Sequence, residues 1–227
     1  MNLYIVIGAY GSGKSEYSIN LARKLKNQGK DVILADLDVV NPYFRSRDVR
    51  EKFAKIGIEV IAPEGEYSHA DLPMISPKIR GAINRYEKTV ILDVGGDPSG
   101  CKTLARFRDD ILKRGYQMKF VINTKRPFTK DENSIAAMMS DLEDTSKMKI
   151  NEIICNTNLM EFTDNDTVVE GIEILDKYAQ SKNLLFETYL VLDKYANKIE
   201  DNIGGKKKLV LKYFLDKPWE KPLLRGI

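Results

Sequence analysis

The chain holds 227 residues, 43% hydrophobic and 30% charged, a balance that excludes a disordered chain and suits one soluble α/β domain of ordinary size. No apolar stretch approaches the roughly 20 residues of a membrane span, and two cysteines 54 positions apart beside a single histidine exclude a disulfide framework or zinc site. The net charge of +3 gathers in a basic tail, about 194–227, where nine Lys/Arg outweigh four Asp/Glu; its "KKK" (206–208) reads as a solvated surface, so no nucleic-acid partner is indicated.

In chain order, "LYIVI" (3–7) has no basic segment before it and runs into a glycine loop. It reads as a first strand and not a leader, and a cytoplasmic location is expected. "GAYGSGKS" (8–15) follows, and Tyr17, Leu21 and Leu25 then recur at helical spacing. Further strands are expected at "VILA" (32–35), "IEVIA" (58–62), "TVILD" (89–93), "KFVIN" (119–123), "EIICN" (152–156) and "LLFETYLV" (184–191). Their mostly unbroken apolar character fits strands buried on both faces. Helical periods lie between them at Ile135, Met138, Met139 and Leu142, and again at Val168, Ile172, Leu175 and Ala179; the methionines read as core. Pro63, Gly65, Pro73 and Pro77 break the segment 62–83, whose first part is expected to be a long loop with His69 as a surface residue. Repeated β–α–β units imply an α/β fold, a three-layer α/β/α sandwich around a mostly parallel sheet of about seven strands, with one domain spanning 1–227.

The glycine loop carries the strongest chemical signal. Gly8, Gly13, Lys14 and Ser15 match GxxxxGK[ST] between a strand and a helix, as a phosphate-binding P-loop requires. Glycines let backbone N–H groups turn toward the β-phosphate, and the helix that follows adds its positive end. Lys14 is expected to neutralise β- and γ-phosphate charge, and the Ser15 hydroxyl to hold Mg²⁺. Nucleotide contacts are therefore expected at Gly8, Gly11, Ser12, Gly13, Lys14, Ser15 and Glu16. The glycines read GxxGxG and not GxGxxG, which argues against a dinucleotide fold. Asp93, ending "TVILD", is the expected second metal carboxylate, acting through water, and Gly96 offers an N–H to the γ-phosphate; Asp97 reads as a turn residue or a further candidate. Asp36 and Asp38 close the second strand on the carboxyl edge, where parallel sheets bind ligands, and Asp38 is favoured for a role in the site.

The motifs "GAYGSGKS", "LADLD" and "ILDVGG", in that order, make the chain resemble the SIMIBI class of P-loop NTPases, of the MinD/ParA/CobQ-CobB type. The resemblance implies that Asp38 orients or activates the attacking water and, partly through water, also serves the Mg²⁺. It also allows a nucleotide-dependent homodimer. The signature lysine of the deviant Walker A loop is replaced by Ala9, so a cation for that mechanism must come from elsewhere, with Arg45 and Arg47 as candidates. The guanine-reading NKxD motif is lacking; Asn156, then Asn123, are the expected adenine contacts, which places ATP ahead of GTP. Cys101 and Cys155 read as buried structural thiols.

The leading expectation is a Mg²⁺-dependent ATP-binding protein with slow ATPase activity, acting as a switch or energy-coupling module on an unidentified protein partner or small-molecule substrate. A small-molecule kinase is the alternative, with the arginines of "SPKIRGAINRYEK" (76–88) as a lid over a phosphoryl acceptor. A metal-insertion GTPase ranks third, since one histidine, two separated cysteines and the missing NKxD argue against it.

Overall fold

The computed structural model describes residues 2–38, 50–62, 76–96 and 98–215. Arg45, Arg47, His69, Asp97 and the end of the basic tail lie outside the described residues.

The first strand, β1 (Leu3–Ile7), leads through the glycine loop into α1 (Lys14–Asn27). Next come β2 (Val32–Asp36), α2 (Arg50–Ala54), β3 (Glu59–Ile61), α3 (Ser76–Ile83) and β4 (Thr89–Asp93). The chain continues through α4 (Pro98–Ala105), α5 (Arg108–Arg114), β5 (Gln117–Ile122), α6 (Glu132–Ser146) and β6 (Glu152–Cys155). It ends in α7 (Asn165–Lys182), β7 (Leu185–Leu192), β8 (Asn202–Ile203) and β9 (Lys206–Leu211).

One sheet runs in the order β3-β2-β4-β1-β5-β6-β7-β9-β8, and every pair is parallel except β8 with β9. Side chains alternate between two cores. Leu3, Ile5 and Ile7 of β1 face a core shared with α3 to α7, while Val6 faces a second core with Tyr17 and Ala22 of α1 and Phe53 of α2. Both faces are therefore covered, which is why these strands read as continuous apolar runs. Cys101 and Cys155 are buried and not joined in a disulfide, and Met138 and Met139 pack against the first core. No helix among the described residues is long and apolar enough to cross a membrane.

Among the described residues the sheet holds nine strands, two more than the sequence patterns indicate, and both come from the basic tail. The "KKK" run opens β9, which pairs with β7 from Thr188↔Lys207 to Leu192↔Leu211. Its lysines find local partners: Lys206 Nζ lies 2.6 Å from Asp176, and Lys208 Nζ 2.6 Å from Asp201. Lys208 also donates to the carbonyls of Ala196 and Ile199. The run is thus an edge-proximal strand in which the ammonium groups of Lys206 and Lys208 reach partners while Lys207 is exposed, and not a plain solvated surface.

Candidate functional site

The site lies at the carboxyl ends of β1, β4 and β2, where connections from the centre of the sheet leave in opposite directions and parallel sheets bind ligands. At the end of β1 the loop turns on itself, with the Ser12 N–H donating to the Ala9 carbonyl at 3.1 Å. Gly13 caps α1 in the left-handed region, φ 85°, which a side chain would strain. A Cβ there would also come within 2.2 Å of Asn156 Nδ2. The cap is a glycine with no side chain to bond the start of α1, and among the described residues its first N–H groups are open to a ligand.

Around this helix end the predicted residues converge. Lys14 Nζ lies 3.2 Å from Asp38 Oδ2, and both side chains are more than nine-tenths buried. The Asp38 backbone N–H donates to Asp36 Oδ1 at 3.0 Å, and the Leu37 N–H to the Asp93 carbonyl at 2.8 Å. Asp36 thus positions Asp38, a role the sequence left unassigned because both acids sit in one short motif. Asp93 is wholly buried and accepts from Ser18 Oγ at 3.1 Å through Oδ1, while its Oδ2 has no partner among the described residues. The Ser15 and Ser12 hydroxyls are likewise buried without a hydrogen-bond partner among the described residues. Ser15 lies near enough to Asp93 to favour its ionised form, yet the two do not meet at hydrogen-bond geometry. Buried polar atoms left unpaired are costly, so this cluster is arranged for a ligand that supplies partners.

Gly96 brings the end of β4 against the loop. A Cβ on Gly96 would lie 2.0 Å from the Gly8 carbonyl oxygen and 3.0 Å from the Ala9 carbonyl carbon. Gly96→Ala must push one loop off the other, an overpacking cost of about 1–3 kcal/mol. The expected outcome is a melting temperature lower by several degrees together with roughly tenfold weaker nucleotide binding, read by thermal unfolding and titration calorimetry.

The asparagines serve the loops. Asn156 Nδ2 donates to the Ser12 carbonyl at 2.6 Å, so its side chain braces the P-loop. Asn123 is fully buried; its Oδ1 accepts from the Lys125 and Asn158 N–H groups and its Nδ2 donates to the Asn158 carbonyl, tying the β5 and β6 loops together. Asn158, not singled out by sequence, lines the cavity beside Asn156. Glu16 lines the cavity beside the loop, and its carboxylate accepts the Phe214 N–H at 3.0 Å and the Leu215 N–H at 2.7 Å. The proposed lid arginines are engaged elsewhere: Arg80 bonds Asp110 at 2.9 Å, and Arg85 makes two bonds to Glu59.

A cavity of about 320 Å³ opens beside the loop, lined by Gly13, Lys14 and Ser15 and by Met160, Leu192 and Leu215. Arg126 also lines it and donates from Nε to the Gly11 carbonyl at 3.3 Å. Burial pushes the Asp93 carboxyl up to about 6, against the charge of Lys14. Burial likewise pushes Glu16 up to about 7, opposed by the amides of Leu215 and Phe214. No cluster of three His, Cys, Asp or Glu among the described residues could hold a metal ion by itself.

The fold and this site define a P-loop nucleotide-binding protein. The chain belongs to the CobQ/CobB/MinD/ParA nucleotide binding domain family (CbiA), which residues 3–168, more than half of the chain, match. No curated protein matches. Among solved structures it is similar to the cell division protein FtsY of Thermotoga maritima, with a TM-score of 0.61 and 18% identity over 84% of this chain and 61% of that one. FtsY of Mycoplasma mycoides is similar with a TM-score of 0.57 and 14% identity, over 91% of this chain and 61% of that one. Chloroplast FtsY of Physcomitrella patens follows at 0.55 and 14%, over 83% of this chain and 57% of that one. The chain spans about three fifths of these structures' length, and at such identities the likeness speaks for the fold alone.

Proposed function

We propose that the chain is a Mg²⁺-dependent ATP-binding protein that hydrolyses ATP slowly and acts as a switch or energy-coupling module, with an unidentified protein or small molecule as its partner. The observation that carries this reading is the convergence of Lys14, Asp38, Ser15 and Asp93, with Ser15 Oγ and Asp93 Oδ2 buried and without a partner among the described residues. A hydroxyl and a carboxylate are hard oxygen donors, a set that fits Mg²⁺, which completes its shell with phosphate and water. When bound, that ion neutralises charge on the phosphate oxygens.

The chain's own residues do the rest. The uncapped N–H groups of α1 bind phosphate, and Lys14 exchanges the Asp38 carboxylate for a phosphate oxygen. Asp38 then orients a water for attack, held in place through its backbone by Asp36. The Gly96 N–H donates to the γ-phosphate. Arg126 is, besides Lys14, the cation lining the cavity among the described residues, and it offers positive charge where Ala9 carries none. ATP is favoured over GTP because Glu16 is the one carboxylate among the described lining residues, and backbone amides occupy it. Guanine's N1–H and N2–H₂ would find no free carboxylate among these residues.

Hydrolysis is preferred to phosphoryl transfer onto a small molecule, since Arg80 and Arg85 are engaged in surface ion pairs. Asp38→Asn tests the reading. The variant should bind MgATP as tightly as the parent or up to about tenfold more tightly, because a charge that competes for Lys14 is gone. Its turnover should fall at least about 100-fold in a phosphate-release assay. Full turnover would overturn the role of Asp38, and failure of the parent to bind MgATP would overturn the proposal. Molecular mass measured with and without ATP reports whether a homodimer forms.

A further inference from the structure

The residues after β9 return to the P-loop helix. β9 stands four strands from β1, roughly 19 Å across the sheet. From Leu211 the chain crosses back over the face that α1 covers, and Leu211 and Leu215 are both buried in the core beneath that helix. Three residues on one face of α1, spaced i, i+4 and i+7, hold it. Glu16 accepts the Phe214 and Leu215 N–H groups. Asn20 exchanges two hydrogen bonds with the Lys212 backbone, both at 2.9 Å. The Arg23 guanidinium lies 4.5 Å above the Phe214 ring, which meets Phe53 edge-on at 6.3 Å.

Leu211, Tyr213 and Leu215 of this strap line the cavity together with Leu192 and Met160. The cavity is therefore lined both by the polar phosphate loop and by apolar side chains. Its volume of about 320 Å³ falls within the range of small-molecule sites. An anionic group bound at Lys14 and Ser15 would set an attached flat apolar group against those side chains.

A carboxylate is a poor choice for the position directly after Ser15. It adds negative charge beside a site for phosphate and competes with the ligand for the positive end of α1. Glu16 is nevertheless buried there, and its oxygens are used by backbone amides nearly two hundred residues away in sequence. A shorter side chain would not reach them, and an apolar one would leave them buried without acceptors.

We infer that the segment Leu211–Leu215 is the wall against which the nucleobase lies, and that Glu16 is the positioning residue that holds this wall in register with the phosphate loop. This rests on the nucleotide reading of the loop. It adds a base-binding surface of Leu211, Tyr213 and Leu215, contributed by the basic tail, and a role for Glu16 that is not phosphate contact.

The test compares MgATP with Mg-tripolyphosphate, which has the phosphates but no base, by titration calorimetry. Glu16→Ala should weaken MgATP about 10- to 100-fold and leave tripolyphosphate unchanged or slightly tighter. Glu16→Gln keeps Oε1, which accepts both Phe214 at 3.0 Å and Leu215 at 2.7 Å, so it should stay within about threefold of the parent for MgATP. Tyr213→Ala, at an exposed position, should repeat the base-dependent loss. The inference is overturned if Glu16→Ala weakens both ligands equally or neither, or if Tyr213→Ala leaves MgATP unaffected. Lys14→Ala is the separate control: should it retain both ligands, the nucleotide reading itself fails.

Discussion

Lys14→Ala should weaken MgATP binding about 30- to 1,000-fold, because it removes the buried cation that the site presents to phosphate. The same substitution has a second effect, on the protein without ligand. Lys14 is the cation 3.2 Å from Asp38, and both are buried. Breaking such a pair from one side leaves a desolvated carboxylate and costs about 3–5 kcal/mol. Loss of binding alone would then be open to the objection that the variant is unfolded. Adding Asp38→Asn separates the two effects. The double variant should regain most of the melting temperature lost by Lys14→Ala and still fail to bind MgATP in titration calorimetry. Recovery of nucleotide affinity in the double variant would show that Lys14 serves the fold and not the phosphate.

Asp93→Asn should have opposite effects on stability and on function. Burial raises the Asp93 carboxyl to about 6 from an ordinary 3.8, so the folded protein holds a proton there that the unfolded chain has released. Stability from this group is therefore greatest below about pH 4, and it falls as pH rises toward 6. Above that window the ionised, desolvated carboxylate costs on the order of 3 kcal/mol. Glu16, raised to about 7, extends the same downward slope toward neutral pH. In metal-free protein at pH 7.5, Asp93→Asn should raise the melting temperature by several degrees and flatten its decline between pH 4 and 6. It should also abolish the dependence of ATP binding on Mg²⁺, because a neutral amide replaces the charged oxygen donor. In the parent, added Mg²⁺ should release a proton near pH 6, detectable as a buffer-dependent binding heat. An unchanged pH profile in the variant would remove Asp93 as its source.

The stability carried by these acids shows why the site lay only partly open to sequence reading. The loop, Asp38 and Asp93 were legible because each belongs to a local rule. Successive glycine amides, a strand-end acid and a helix start occupy a few neighbouring residues, and the periodic strands around them place those ends on one edge of the sheet. The phosphate cradle was readable from "GAYGSGKS" for that reason. The pairing of Lys14 with Asp38, the unpartnered Asp93 oxygen and the raised carboxyl values were not readable. They depend on which groups lose water together, and that is settled when β2, β4 and α1 pack.

Asn156 and the tail show the same limit. "EIICN" marked a strand followed by an asparagine, but whether that side chain meets a base or the Ser12 carbonyl depends on where the next loop lies. The three lysines of "KKK" hid a strand, because the charge run outweighs "LVL" in any local pattern. Asp176 and Asp201, which meet Lys206 and Lys208, lie in other elements.

By itself, then, the sequence determined the chemistry at the centre of the sheet: a mostly parallel α/β fold, a phosphate-binding loop, and two acids at neighbouring strand ends. Tertiary structure alone decided what surrounds that centre. It joined Glu16 to the backbone of Phe214 and Leu215, and made the tail a wall of the cavity. The physical reason is range. Hydrogen bonds between near neighbours are written in the order of residues, whereas a contact between positions 16 and 215 exists only after the sheet has brought its edge back over α1.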